Sequence, residues 1–326
     1  YNARDMAVLR GHLENITVVL GSATPSIETV HNITLGKYKE IIINSRFGNA
    51  YLPTIHAIDL RKKLPKNSWI SHELKEAIRL TIAKGEQSML FLNRKGYAPI
   101  LLCNSCGYKI CCSSCSSSLV LHKSLNRMIC HHCEHQTAPL KSCPECKTED
   151  SITTCGPGVE RIYEEISNYF PEAKLQLMTS EEMSSHKKST QILDDIMSQK
   201  IDIIIGTQII TKGYHFPKLT TVGVIDTDIG LTGGDLRASE KTFQLLYQVG
   251  GRAGREDAKG TIFLQTYSPG SLFIKFLINH DYRGFIKYEL STRETSHMPP
   301  FSKMASIIIS DKDEILVKKI GNTIAR

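Results

Sequence analysis

The sequence lacks several features that would each have pointed to a class of protein. No apolar run approaches the roughly 20 residues needed to cross a bilayer, so no membrane association is expected. No secretory leader is present, which favours a reducing compartment where thiols stay free or bind metal. No Gly-x-x-x-x-Gly-Lys-Ser/Thr loop and no Asp-Glu-x-His-like motif occurs, so the phosphate loop and the magnesium motif of an ATPase are missing from these residues.

What the sequence does contain is cysteine in an unusual arrangement. Two thiolates three residues apart on a tight turn can bind one side of a Zn²⁺ ion at about 2.3 Å per bond. Four such pairs provide ligands for two closed Cys₄ tetrahedra, so the segment predicts two zinc sites. Eight of the ten cysteines form these pairs: Cys103/Cys106, Cys112/Cys115, Cys130/Cys133 and Cys143/Cys146.

The residues alone leave other interpretations of the cysteines open. A disulfide cluster would need an oxidising compartment, and two-cluster ferredoxins space their cysteines as a dense run, unlike this segment. Four pairs can combine into two sites in three ways. Cys111 could compete with Cys112 as a ligand, although the Cys-x-x-Cys register favours Cys112. His131 and His132 are further alternative ligands, and Cys155 is left over.

Charge gives little guidance about partners. The formal charge is +7 over 326 residues, and eight thiolates with two zinc ions would lower it to +3. This balance is weak support for nucleic acid binding by itself. The length is enough for two or three domains, and 41% hydrophobic residues allow each to bury a core.

The rest of the chain alternates between short β-branched runs and segments with helical periodicity. Such alternation is typical of a parallel α/β sheet with helices on both faces, which the cysteine segment interrupts as an insertion. Strands are predicted at residues 16–20, 40–44, 56–60, 88–92, 174–178, 201–205, 222–226, 261–265 and 305–310. Helices are predicted at residues 71–84, 159–170, 189–199 and 239–249, and Ser26 is predicted to cap a further helix.

Three loops carry residues suited to phosphate chemistry, at positions where α/β proteins place ligands. Residues 21–26 offer small side chains and hydroxyls, and residues 206–217 add glycines for close backbone approach. Taken alone, both are also explained as ordinary turns. Residues 248–255 set Arg252 and Arg255 among glycines after a helix. The planar fork of arginine contacts phosphate oxygens bidentately, so this third loop is the most specific of the three.

These loops resemble the motifs of superfamily-two helicases. Residues 21–26 resemble motif III, with Ser-Ala-Thr intact, residues 206–217 resemble motif V, and residues 248–255 resemble motif VI. Residues 91–99 resemble motif IV of the PriA family, a branch that also carries eight cysteines inserted in its second motor lobe. The Asp226-x-Asp228 segment and residues 237–240 and 298–301 are similar to the same family, so the resemblance covers essentially the whole chain.

The resemblance implies two RecA-like lobes that clamp ATP, and it implies a division of the chain. Residues 1–45 would end lobe one, residues 53–102 would begin lobe two, and residues 103–147 would be the zinc-binding insertion. Residues 148–267 would complete lobe two, and residues 268–326 would begin a C-terminal domain. In the family the phosphate loop and the magnesium motif lie upstream of such a segment, so we expect these 326 residues alone not to hydrolyse ATP.

The resemblance also implies roles for individual residues. Arg252 and Arg255 would face the γ-phosphate, and Gln248 would help to order the nucleotide or the attacking water. A second set would couple DNA contact to the nucleotide state: Ser22, Thr24, Gly206, Thr207, Gln208, Lys212 and Gly213. The family nests its cysteine pairs, so one zinc would be held by Cys103, Cys106, Cys143 and Cys146, and the other by Cys112, Cys115, Cys130 and Cys133.

The function implied by the resemblance is that of an ATP-dependent 3′–5′ DNA helicase of the bacterial cytoplasm, a hydrolase and isomerase that restarts DNA replication as part of the primosome. Its cofactors would be two Zn²⁺ ions and ATP with Mg²⁺. Its partners would be forked and single-stranded DNA, primosome proteins and single-stranded-DNA-binding protein. A competing interpretation is a non-enzymatic zinc module that binds DNA or a partner, and a third is another helicase or translocase of the same superfamily.

Overall fold

The computed structural model divides the chain into two compact units, one formed by Tyr1–Glu40 with Arg283–Arg326 and the other by Ile41–Tyr282. The structure describes residues 2–43, 52–62, 68–92, 100–103, 105–114, 119–122, 127–130, 133, 135–155, 159–179, 182–207, 216–228, 231, 236–251, 260–305, 307, 309, 311 and 313–324.

The larger unit is built on a parallel six-stranded sheet. The strands of this unit are β1 (Thr54–Asp59), β2 (Gln87–Phe91), β3 (Ile100–Cys103), β4 (Leu119–His122), β5 (Arg127–Cys130), β6 (Gln136–Thr137), β7 (Ile152–Cys155), β8 (Leu175–Met178), β9 (Ile203–Gly206), β10 (Leu219–Val224) and β11 (Thr261–Thr266). The strand order in the large sheet is β1-β11-β10-β2-β9-β8. The central strands β2, β9 and β10 are buried along their whole length, as expected for a parallel sheet covered on both faces.

The described part of this unit contains five helices. Ser71 caps α3 by accepting a hydrogen bond of 3.2 Å from the Leu74 N–H, and Gly85 follows the helix with a φ of +69°. The helices are α3 (His72–Ala83), α4 (Val159–Tyr169), α5 (His186–Met197), α6 (Ala238–Gly250) and α7 (Leu272–Ile278).

Helices cover both faces of the sheet. The core on one face joins α3 and α4 to alternate residues of the strands, for example Leu74 and Ile166 with Leu90, all fully buried. On the other face α6 packs so closely that a Cβ at Gly250 would lie 2.8 Å from Ile262 Cδ1. The predicted parallel α/β class is therefore confirmed, and the strands and helices predicted between residues 56 and 265 lie within a few residues of those observed.

The cysteine-rich segment is an insertion between β2 and α4 with its own small sheets. Strands β3 and β7 pair antiparallel and bring the two ends of the insertion together, with Ile100 opposite Cys155. Strands β4, β5 and β6 form a separate antiparallel sheet. A small core of buried residues joins the two parts, with Leu101, Ile110 and Met128 at its centre. These strands were not predicted, because their runs are too short to show a clear period.

The smaller unit contains α1 (Ala3–Leu13), α2 (Ile27–Thr34) and α9 (Glu314–Ile324), together with α8 (Tyr282–Thr295), whose first residue belongs to the larger unit. Ser26 caps α2 as predicted, since its side chain accepts from the Thr29 N–H. Ring contacts and ion pairs tie the unit together, including His31 against Phe301 with centroids 4.8 Å apart.

The strands predicted at residues 16–20, 40–44 and 305–310 are wrong for the residues that the structure describes. Residues 16–20 and 40–43 have no regular structure, and neither do residues 305, 307 and 309; positions 44, 306, 308 and 310 lie outside the description. Val19 is 86% exposed and Ile43 is 83% exposed. A β-branched run forms a strand only where a neighbour supplies hydrogen bonds, and no strand is present in the described part of the smaller unit or at residues 41–43.

None of the helices in the described part of the chain is both long enough and apolar enough to cross a membrane.

Candidate functional site: the cysteine clusters and the carboxyl edge of the sheet

The structure brings together the four cysteines that the resemblance assigns to one zinc. We call Cys103, Cys106, Cys143 and Cys146 cluster 1; their sulfur atoms all lie within 4.8 Å of one another. The Cys103–Cys146 sulfur pair is 3.6 Å apart and the Cys106–Cys143 pair 3.7 Å. A tetrahedral zinc with bonds of about 2.3 Å places its sulfurs roughly 3.8 Å apart, so these residues fit a Zn²⁺ ion.

Hydrogen bonds around cluster 1 favour the thiolate form at two of its four cysteines. Burial raises the pKa of the Cys103 thiol, but hydrogen bonds with Ser151 and with the backbone N–H groups of Cys106 and Ser105 outweigh it and lower the pKa to about 6. Burial raises the pKa of Cys106 to about 12, whereas hydrogen bonds with Thr148 lower the pKa of Cys146. Because zinc binds thiolates, metal binding here would release the protons that remain.

A second group, cluster 2, contains Cys112, Cys130 and Cys133. The sulfur atoms of Cys112 and Cys133 are 3.5 Å apart, and the Ser114 N–H donates to Cys112 Sγ at 3.3 Å. The predicted fourth ligand, Cys115, lies outside the described residues. Three thiols with this spacing again fit one Zn²⁺ ion.

The alternative ligands named from the sequence do not join these groups among the described residues. Cys111 is exposed and belongs to neither cluster. His131 and His132 lie outside the described residues, as does the side chain of Cys155.

The structure describes only some of the other predicted site residues. Gly206 ends β9 and Thr207 follows it, at the carboxyl edge of the sheet. Gln248 is exposed on α6. In the smaller unit the Thr24 N–H donates to Ser22 Oγ at 3.0 Å. Outside the described residues lie Gln208, Lys212, Gly213, Arg252, Arg255 and the motif IV-like residues 93–99.

The carboxyl edge is organised around a buried aspartate whose role the sequence analysis missed. Asp228, only 5% exposed, accepts hydrogen bonds at its carboxylate from Thr266 Oγ1, at 2.9 and 3.0 Å, and from the Tyr267 N–H, at 2.8 Å. Its own N–H donates to Asp226 Oδ1 at 2.9 Å. These contacts join the residues after β10 to the end of β11. The available signal was the Asp-x-Asp pattern directly after a buried strand.

Fold and site together define the chain as a parallel α/β lobe carrying an inserted cysteine-rich, metal-binding module. Residues 112–137 match the family model described as the PriA DNA helicase Cys-rich region domain. Over its whole length the chain is similar to the PriA proteins: it is 49% identical over 327 residues to the replication restart protein PriA of Rickettsia conorii, covering 100% of this chain and 50% of that protein.

More distant relatives are similar over nearly the same part of the chain. The PriA protein of Bacillus subtilis is 37% identical over 315 residues, covering 96% of this chain and 39% of the relative. The chain thus spans about half the length, or less, of these relatives. A looser likeness is to the structure of RecG bound to a three-way DNA junction, with 16% identity, a TM-score of 0.48, and coverage of 95% of this chain and 30% of that one.

Proposed function

We propose that this chain forms part of an ATP-dependent 3′–5′ DNA helicase that restarts DNA replication at stalled forks. The observation that carries this proposal is the 49% identity over the whole chain to a protein named for replication restart. The parallel sheet with its inserted cysteine clusters supports it, because the described cysteines are already arranged to bind metal.

We propose the following assignment of the chain to the motor. Residues 1–45 end the first RecA-like lobe, and residues 53–102 with residues 148–267 make up the second lobe. Residues 103–147 are the metal-binding insertion, and residues 268–326 begin a C-terminal domain. The six strands of the sheet all come from residues 54–266, which supports the extent of the second lobe.

Clusters 1 and 2 would each hold one Zn²⁺ ion, the second with Cys115 as its fourth ligand. Bound zinc would supply folding energy to a segment that otherwise has only a small core. The protein's own contribution is to present the thiols in tetrahedral arrangement and to surround them with N–H donors, such as Ser105 at Cys103 and Ser114 at Cys112.

ATP with Mg²⁺ would bind at the carboxyl edge of the sheet. Arg252 and Arg255 would stabilise the charge that develops on the transferred phosphate, and Gln248 would order the nucleotide or the attacking water. The position of Gly206 at the end of β9 supports this placement, since α/β sheets bind ligands at the carboxyl ends of their strands. The coupling of DNA contact to the nucleotide state would fall to Ser22, Thr24, Gly206, Thr207, Gln208, Lys212 and Gly213.

The partners proposed for the whole protein are forked and single-stranded DNA, primosome proteins and single-stranded-DNA-binding protein, in the bacterial cytoplasm. The only support for the primosome partners is the similarity to proteins named for replication restart.

The test is a DNA-stimulated ATPase and fork-unwinding assay on the longer protein that contains this chain. We expect Arg255→Ala to abolish most of the ATPase activity while DNA binding is retained, because the guanidinium acts in the transition state. Arg79→Ala is the matched control, since Arg79 is exposed on α3 and pairs with Glu76. Unchanged turnover in Arg255→Ala would refute its catalytic role. Zinc-dependent DNA binding without any ATPase in the unaltered protein would favour the non-enzymatic module instead.

A further inference from the structure

The loop that follows Cys103 and Cys106 of cluster 1 contacts the carboxyl edge of the large sheet. Lys109, three residues after Cys106, extends its side chain to the sheet and donates from Nζ to the backbone oxygen of Asp228 at 2.5 Å. Asp228 is the aspartate that joins the residues after β10 to the end of β11. The loop that holds the metal ligands is therefore hydrogen-bonded to the edge where a nucleotide would bind.

A second contact from the same loop reaches Tyr267. Gly107 has a φ of +76°, and a Cβ placed there would lie 2.8 Å from the Cβ of Tyr267. The N–H of Tyr267 in turn donates to the Asp228 carboxylate. Lys109, Asp228, Tyr267 and Gly107 thus form a closed ring of contacts between the metal loop and the sheet.

The ring is tied to the cluster through short backbone hydrogen bonds. The Gly107 N–H donates to the Cys103 oxygen at 2.8 Å, and the Cys103 N–H donates to the Tyr108 oxygen at 2.8 Å. Lys109 also forms a β-bridge with Leu102. The conformation that places Lys109 and Gly107 against the sheet is therefore the same turn that aims Cys103 and Cys106 at a common point.

We propose that the loop of cluster 1 stabilises the carboxyl edge of the sheet through Lys109 and Gly107. Metal binding at this cluster would therefore lower the conformational mobility of the residues after β10 and β11. In cluster 2, by contrast, Cys112 and Cys130 pack in the small core of the insertion. Any effect of these contacts on ATP or DNA binding rests on the proposed function, whereas the stabilisation of the sheet edge does not.

The test measures hydrogen exchange of the Asp228 and Tyr267 amides by mass spectrometry in the zinc-loaded protein. Lys109→Met keeps most of the aliphatic stem but removes the donor, and we expect exchange at these amides to rise roughly tenfold with zinc content unchanged. Lys109→Arg keeps a cationic donor and should restore slow exchange. Lys147→Met is the matched control, because Lys147 lies on the other loop of cluster 1 and donates to Pro144 of its own loop.

Two further variants keep the test decisive should one substitution disturb folding. Gly107→Ala should speed exchange at Tyr267, because the added Cβ meets that residue at 2.8 Å. Cys146→Ser, which removes a ligand of cluster 1, should have a larger effect at both amides than Cys133→Ser. Unchanged exchange in Lys109→Met, or an equal rise in Lys147→Met, would overturn the proposal. Because exchange is measured without ATP or DNA, the outcome is independent of whether the proposed helicase activity is found.

Discussion

The completely buried side chain of Gln265 accepts a hydrogen bond of 2.8 Å at Oε1 from the backbone N–H of Ser71, 194 residues away in the chain. Its amide nitrogen donates to the backbone oxygens of Trp69, at 2.9 Å, and Ile225, at 3.0 Å. One side chain of β11 thus satisfies three backbone groups from two other segments. It holds the start of α3 against the end of β10, where the candidate nucleotide edge begins.

Replacing this side chain should destabilise the larger unit. Gln265→Leu leaves the Ser71 N–H and two carbonyl oxygens without their partner inside the core, and we expect a loss of about 2–4 kcal/mol in the free energy of unfolding. Urea denaturation followed by the fluorescence of Trp69, the single tryptophan, measures it. Gln191→Leu on the exposed surface of α5 is the control and should change stability little. Equal stability of the two variants would contradict this reading of Gln265.

Breaking the ion pair between α3 and α4 should lower the free energy of unfolding as much as breaking a buried pair does. Lys75 Nζ lies 2.8 Å from Glu165 Oε1, with side chains only 10% and 15% exposed. Lys75→Met leaves the carboxylate without its cation, and we expect a loss of about 3 kcal/mol. The exposed pair of Lys200 and Asp195 provides the control, and Lys200→Met should cost less than about 1 kcal/mol.

A double-variant cycle separates loss of the Lys75–Glu165 pair from a general defect in packing. Adding Glu165→Gln to Lys75→Met should recover part of the lost stability, since the uncompensated charge is gone while Ser68 and the Trp69 N–H keep a partner. Additive losses in the double variant would show that the two side chains do not interact energetically.

Metal content tests the cysteine assignment. The protein should contain two zinc ions per chain, and Cys143→Ser should lose one of them, because a closed Cys₄ site tolerates no missing ligand. Cys111→Ser should retain both, because Cys111 lies outside both clusters. Colorimetric zinc analysis after dialysis gives the stoichiometry. Fewer than two zinc ions in the unaltered protein, or loss of zinc from Cys111→Ser, would contradict the assignment.

Close packing of α3 on the sheet can be tested at a glycine. A Cβ at Gly223 in β10 would lie 2.6 Å from Leu74 Cδ2 and 2.9 Å from Leu90 Cδ2, and both leucines are fully buried. We expect Gly223→Ala to destabilise the protein by about 1–3 kcal/mol through overpacking. Gly270→Ala, where nothing lies within 4 Å of the added Cβ, should be nearly neutral in the same urea titration. A neutral Gly223→Ala would show that the leucines repack freely.

Local patterns were enough to predict the parallel sheet and four helices of its unit, α3 to α6, but not α7. The apolar spacing of residues 71–84 and the Ser71 cap are properties of neighbouring residues, and both appear in α3. The strand predicted at residues 16–20 is absent, because a strand also depends on a partner strand that a local pattern does not contain. Asp228 and Gln265 were not recognised as hydrogen-bond centres for the same reason: their partners are distant in sequence, and only folding brings them together.

The antiparallel pair β3 and β7, which forms the stem of the inserted module, affects how such a protein can evolve. Ile100 and Cys155 face each other across this stem, so the chain leaves and re-enters the lobe at nearly one point. Because β3 and β7 bring the ends of the module together, the module constrains the large sheet no more than a short loop would, whatever its length beyond this pair of strands. Modules of different size or metal content can therefore be exchanged at this stem while the register of β2 and its neighbours is preserved. The contacts of Lys109 and Gly107 would be the ones that an exchanged module has to re-create.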